Sequence, residues 1–164
     1  MSYTPTTPDH LCVFCEIAAS RIQTPGVFWQ DEEFMAFLSI DPNTMGFSCV
    51  VPKNHFGSDV LKMPDDVLSR FIVAAKHVST ILEKAFDDVG RVGVLMEGTG
   101  IDHAHIKLMP MHGTEALKQG WQQFLSGKQF WFEKYEGWIC SGSGPMADAE
   151  TLKEVAQRLI EAQK

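Results

Sequence analysis

The stretch Asp102-His103-Ala104-His105-Ile106-Lys107-Leu108-Met109-Pro110 alternates in polarity with a period of two, the repeat of an extended strand. Ala104, Ile106 and Leu108 then share the face that enters a core, and His103, His105 and Lys107 share the other. Two imidazoles and an ammonium in a row suit an anion. Just upstream, Glu97-Gly98-Thr99-Gly100 makes a tight loop whose amides can meet a phosphate, and residues 92–96 read as the neighbouring strand. Polar residues at i, i+2 and i+4 are equally the pattern of a solvated edge strand, so the rest of the chain has to decide between the two.

Working outward, Pro64-Asp65-Asp66 starts a helix, with Pro at the first position and acids facing the positive end of the helix dipole. Leu68, Phe71, Ile72, Ala75, Val78, Leu82 and Ala85 hold one stripe, which predicts a long core helix ending before Gly90. Residues 27–30, 34–40 and 47–51 are β-prone and separated by the acidic residues 31–33 and by Asp41-Pro42-Asn43 with Gly46. Leu11, Phe14, Ile17 and Ala18 recur at helical spacing, so a short helix carries Cys12 and Cys15 until Pro25-Gly26 breaks it. Beyond Pro110 the chain is rich in aromatics from Trp121 to Trp138. A Gly/Ser-rich loop, residues 141–145, then leads to a helix capped by Asp148 with Leu152, Val155, Ala156, Leu159 and Ile160 on its apolar face. The expected class is α+β, an antiparallel sheet with a long helix crossing between two groups of strands. Residues 1–10 read as a loose tail, 11–113 as the domain, and 114–164 as a C-terminal extension packed on it.

Composition narrows the function. A chain of 164 residues with 45% hydrophobic and 21% charged residues suits one globular domain rather than a disordered or coiled-coil chain. Fourteen Lys and Arg against 21 Asp and Glu, a net charge of −7, disfavour nucleic acid as a partner held through its phosphates. Any phosphate must be gripped locally. No apolar run approaches the roughly 20 residues of a membrane span, and the first ten residues lack a basic start, so a cytoplasmic chain with no membrane partner is expected. There Cys12-x-x-Cys15 points to metal or redox chemistry rather than a bridge, while Cys49 and Cys140 read as small core residues. His10, His77 and His112 read as solvated histidines.

Four short motifs, in order and at fitting distances, resemble the histidine triad (HIT) family. The signature of that family alternates His with apolar residues three times before a Pro or Gly, and here it stands as His103-Ala104-His105-Ile106-Lys107-Leu108-Met109-Pro110. Cys12-Val13-Phe14-Cys15-Glu16-Ile17 is similar to its bacterial N-terminal motif, Phe34-Met35-Ala36-Phe37-Leu38-Ser39-Ile40 to its second strand, and Val50-Val51-Pro52-Lys53-Asn54-His55 to its Pro-Lys-x-His segment. The resemblance implies about five antiparallel strands with a long crossover helix, and two subunits paired as a homodimer. It also implies hydrolysis or transfer at a nucleoside α-phosphate, through a nucleotidyl-histidine on the middle residue, His105. A neutral imidazole is a competent nucleophile near pH 7 when an acceptor at its other nitrogen fixes the tautomer.

Residue by residue, the resemblance assigns catalysis to His105, Lys107 and His103, and phosphate to Gly98, Thr99 and Gly100. It places the nucleoside near Phe28, Phe37, Leu38, Ser39 and Asp41. Cys12, Cys15, His55 and His103 match the positions that hold one structural zinc in relatives with the same cysteine motif, and two thiolates with two imidazoles form a closed tetrahedral set. Lys107 stands where the third histidine is usual, Met96 where an Asn often precedes Glu-Gly, and Ser39 where an acid often meets the ribose. These departures keep a second expectation alongside the enzyme, a nucleotide- or anion-binding protein of the same fold without turnover.

Overall fold

In the computed structural model, which describes residues 4–24, 26–142 and 144–161, the strands Phe34–Leu38 and Ser48–Pro52 are buried on both faces almost throughout. In chain order the elements are α1 (Val13–Ala18), β1 (Val27–Gln30), β2 (Phe34–Leu38), β3 (Ser48–Pro52), α2 (Asp65–Ala85), β4 (Val89–Leu95), β5 (Ile106–His112) and α3 (Ala149–Glu161). Residues 1–3 of the expected tail, the helix breaker Pro25, Ser143 of the Gly/Ser loop, and the side chains of Ala156 and Ile160 lie outside the described residues. The five strands form one sheet in the order β1-β2-β3-β5-β4, every neighbouring pair antiparallel. Thus β5 lies between β3 and β4. The polar row is not the solvated face of an edge strand.

The sheet has an apolar cluster on each side. One unites Phe34, Ala36, Val50, Ala104, Ile106 and Leu108 with the α2 residues Phe71, Ala75, Val78 and Leu82. The other unites Met35, Phe37, Cys49 and Val51 with Cys12, Phe14 and Cys15. Successive residues of β2 therefore enter opposite cores, which is why residues 34–37 run apolar without alternation. α2 starts after Pro64 with Asp65 and Asp66 in its first turn, as expected, and buries Phe71, Ala74, Ala75, Val78 and Leu82. Ile72, expected in the stripe, is 41% exposed. A period of 3.6 places it beside the buried row, where Ala74 belongs instead.

Three boundaries differ from expectation. β2 stops at Leu38, before Ser39 and Ile40. β4 begins at Val89, and β5 covers Ile106–His112 rather than residues 103–109, so His103 and His105 precede the regular strand. Pro110 is tolerated inside β5 because β3 pairs only as far as Leu108 and the β4 register breaks between Val89 and Val92, where Pro110 pairs. The N-terminal segment is fastened rather than loose: Asp102 Oδ2 accepts the Thr6 amide at 2.6 Å, the Thr6 hydroxyl at 2.8 Å and the Thr7 amide at 3.2 Å. Its partner is more than ninety residues away, so no local pattern could reveal it.

The chain separates into two compact units, Met1–Gln122 and Gln123–Lys164. In the second, Phe130, Phe132 and Trp138 meet at ring-centroid distances of 5.0 to 6.1 Å. Asp148 accepts the Thr151 amide at 2.9 Å and so caps α3. Among the described residues, no helix is long and apolar enough to cross a membrane.

Candidate functional site

The segment entering β5 turns its side chains alternately across the sheet. Ala104 goes into the α2 core, and its amide donates to the Phe56 carbonyl at 2.8 Å. His103 is fully buried on the other side. Its Nε2–H donates to the Pro52 carbonyl at the end of β3, at 2.9 Å, which leaves Nδ1 facing Cys12 Sγ at 3.3 Å and Cys15 Sγ at 3.4 Å. The His55 ring stacks on His103 with centroids 4.9 Å apart and 15° between the planes. One donor atom from each of Cys12, Cys15, His55 and His103 lies within 4.8 Å of all the others.

Around this cluster, His55 Nε2–H donates to the Asp102 carbonyl at 2.8 Å, and its Nδ1 is 2.7 Å from Asp9 Oδ1. Burial lowers His103 to about 4 against the pull of the Pro52 carbonyl, so its imidazole is neutral at pH 7. Burial first, and then the neighbouring Cys12, push the Cys15 thiol up to about 12. Two thiols and two imidazoles brought together from α1 and the residue before it, the segment after β3 and the segment before β5 are able to hold one metal ion of borderline softness. No cysteine among those described is bridged.

His105 is also buried, on the same side of the sheet, with the Phe14 ring edge-on at 5.6 Å. Its Nδ1–H donates to the His103 carbonyl at 2.7 Å, so the lone pair is on Nε2. Burial also holds this imidazole below its ordinary value, mainly in the neutral form. His105 and Lys107 line a cavity of about 660 Å3, together with Phe37, Leu38, Ser39 and Asp41. Ser39 donates its hydroxyl to Asp41 Oδ1 at 2.8 Å. Four of the five expected nucleoside residues are thus brought together at one cavity.

The fifth, Phe28, does not line it. The β1–β2 register breaks between Val27 and Trp29, which leaves Phe28 out of the ladder and 36% exposed. The glycine loop also divides. Gly100 lines the cavity and Thr99 does not. Gly98 has φ +60°, and a Cβ there would be 2.2 Å from the Ser58 carbonyl oxygen, so close backbone packing already requires glycine at this position.

Two contributors escaped the sequence reading. α1 supplies Val13, Phe14 and Ile17 to the cavity wall, although its amphipathic spacing predicted only a core contact. Glu97 takes the Lys107 ammonium on Oε1, while its Oε2 is buried without a hydrogen-bond partner among the described residues. Lys107 is therefore not free to serve phosphate alone, as the sequence suggested. Burial pushes the Glu97 carboxyl up, but the Lys107 bond, a backbone hydrogen bond and the neighbouring positive charge together outweigh it, and the carboxyl lies below its ordinary value. The register explains the pair: Leu95 faces Lys107 directly, and Glu97 follows two residues later. Cys49, also in the cavity wall, has its thiol pushed up to about 11 by burial and is a poor nucleophile.

Known proteins resemble this chain in sequence and fold. The chain is similar to an uncharacterised HIT-like protein of Methanocaldococcus jannaschii, 35% identical over 109 residues that cover 62% of this chain and 80% of that protein. It is 28% identical over 118 residues to an adenosine 5′-monophosphoramidase of Saccharomyces cerevisiae, covering 71% and 73% of the two chains. The crystal structure of a HIT family protein from Bacillus anthracis matches with a TM-score of 0.61 at 20% identity, over 98% of this chain and 100% of that one, a likeness of fold. The sequence profile of the HIT domain matches residues 21–114, more than half of the chain, which therefore belongs to the histidine triad (HIT) family.

Proposed function

We propose that this protein is a nucleotide hydrolase of the phosphoramidase kind, with His105 Nε2 as the nucleophile toward the α-phosphorus of a nucleoside 5′-phosphate derivative. The observation that carries the proposal is the state of His105: buried, neutral, its tautomer fixed by the His103 carbonyl, and in the wall of a cavity large enough for a nucleotide. As the P–N bond to Nε2 forms, positive charge develops on the ring, and the Nδ1–H bond to the carbonyl stabilises it. Phe37 and Leu38 offer apolar surface to a base, the Ser39–Asp41 pair offers acceptors to ribose hydroxyls, and Gly100 offers an amide to the phosphate. The kinship with a yeast adenosine 5′-monophosphoramidase supports adenosine as the first nucleoside to test.

Cys12, Cys15, His55 and His103 would hold one structural zinc, which supplies no reacting group when bound and fixes the N-terminal helix against the His105 segment. The test is AMP release from adenosine 5′-phosphoramidate. The parent is expected to turn over, and a folded His105→Asn protein to bind AMP but lose at least about a thousandfold in rate. Unchanged turnover in that variant would sink the assignment. One observation favours a second reading: with the Lys107 charge already engaged by Glu97, the pocket suits a nucleotide-binding protein without turnover. AMP binding by a parent protein that releases none would select it.

A further inference from the structure

Glu97 is an unusual neighbour for a phosphate site. Its side chain is 10% exposed and that of Lys107 27% exposed, so the pair is largely removed from water. A buried carboxylate oxygen without a partner is costly, and among the described residues Oε2 of Glu97 stands so. Among the described residues, the carboxylate has Lys107 as its one side-chain hydrogen-bond partner. In turn Lys107, two residues from His105 and on the same cavity wall, is the one lysine or arginine lining that cavity among the described residues. Including Glu97 and Asp41, the cavity carries no excess positive charge, which disfavours a polyanionic leaving group. Lysine also differs from the imidazole usual at its position: the ammonium is a weaker acid on a flexible stem, so it needs orienting and is matched to a leaving group of amine basicity.

We infer that Glu97 positions the Lys107 ammonium as the proton donor to an amine leaving group, the pair replacing a third histidine. This rests on the hydrolase reading above. In the first step the Nε2 lone pair of His105 bonds to the α-phosphorus while the bond from phosphorus to the leaving nitrogen breaks. The electron pair stays on that nitrogen, which takes a proton from Lys107 Nζ, so a neutral amine departs and Lys107 becomes a neutral amine. In the second step a water oxygen bonds to phosphorus and its proton passes to Lys107 Nζ. The P–Nε2 bond breaks with its pair returning to His105, and AMP leaves with both side chains in their starting states. Glu97 exchanges no proton. Its carboxylate keeps the Nζ aimed along the wall toward His105 through both steps.

Two substrates with the same nucleoside separate this role from mere packing. Adenosine 5′-phosphoramidate must expel a nitrogen that needs a proton, whereas adenosine 5′-(4-nitrophenyl phosphate) expels 4-nitrophenolate, which does not. For the phosphoramidate, Glu97→Gln is expected to lower kcat about 10–100-fold and Lys107→Met at least about 100-fold, with KM changed little. The Glu97→Gln/Lys107→Met double variant should be no slower than Lys107→Met, since the two act as a unit. Every loss should be at least about tenfold smaller on the nitrophenyl ester. Should Glu97→Gln fail to fold, the double variant, which removes both charges together, carries the same two-substrate comparison. Equal losses on the two substrates, additive losses, or an unchanged kcat in Glu97→Gln would overturn the inference while leaving the hydrolase reading standing. A parent protein that cleaves neither substrate overturns the hydrolase reading and this inference with it.

Discussion

Gly98 and Gly100 stand two residues apart in one loop, and the sequence offers no reason to treat them differently. The structure does. Gly98 has a left-handed backbone with a missing Cβ that would lie 2.2 Å from the Ser58 carbonyl oxygen, whereas a Cβ on Gly100 meets nothing within 4 Å. Gly98→Ala must bear both the left-handed strain and the displacement of Ser58, about 2–5 kcal/mol together, whereas Gly100→Ala should stay within about 1 kcal/mol of the parent. Denaturant unfolding of the two variants checks this, and equal stabilities would contradict it. His103 and His105 were legible because the His-x-His pattern shows in six consecutive residues. Glu97 was not, because its meaning comes from a cross-strand register and from the burial of one oxygen, neither of which leaves a mark in the chain.

α2 was the most legible element, since a stripe repeated over 21 residues averages out single errors such as Ile72. Its anchor is Phe71, fully buried and stacked on Phe34 with ring centroids 5.2 Å apart. Phe71→Ala should cost about 3–5 kcal/mol, measured by urea unfolding, and a cost under about 1 kcal/mol would mean that the site collapses. At the end of β5, His112, expected to be solvated, is partly exposed and also ties two connections to the strand end. Its Nε2 bonds the Met45 carbonyl before the turn into β3, and its Nδ1 lies 3.0 Å from Asp88 ahead of β4. The Met45 carbonyl and then Asp88 raise the imidazole above its ordinary value, while His112 lowers the Asp88 carboxyl. A raised imidazole contributes stability that is complete below about pH 6.5 and lost as pH rises through its folded value, and a lowered carboxyl contributes stability above about pH 4 that is lost in acid. Thermal midpoints of the parent and of His112→Gln should therefore differ most between about pH 4 and 6.5 and converge in alkali. A gap that persists unchanged to pH 9 would contradict the tie.

The sheet has a strong side and a weak side, and the asymmetry decides what the cluster of two thiols and two imidazoles is for. On one side α2 packs its 21 residues against the strands. On the other, the cover is α1, six residues long, and the segment before it. A helix of that length is not stable on its own, so tertiary ties must hold it. Those ties are Cys12 and Cys15 at the His55 and His103 cluster, with Thr6 and Thr7 on Asp102. All of them converge on the segment that orients His105. The strand count and the cysteine motif were legible in the sequence, but this convergence depends on the order β3-β5-β4, which local patterns do not encode. We predict about one zinc per chain by elemental analysis of protein purified without added metal. Binding to the folded chain alone at a hundredfold excess over Kd is worth about 2.7 kcal/mol, so a strong chelator should lower the thermal midpoint by several degrees. Hydrogen exchange should rise first in residues 6–18 while α2 stays protected, because only the weakly covered side depends on the tie. Cys12→Ser should give the same exchange pattern without chelator. Substantially less than one zinc per chain, or uniform exchange across α1 and α2 after chelation, would show that the four side chains are ordinary packing and that His105 is oriented by hydrogen bonds alone.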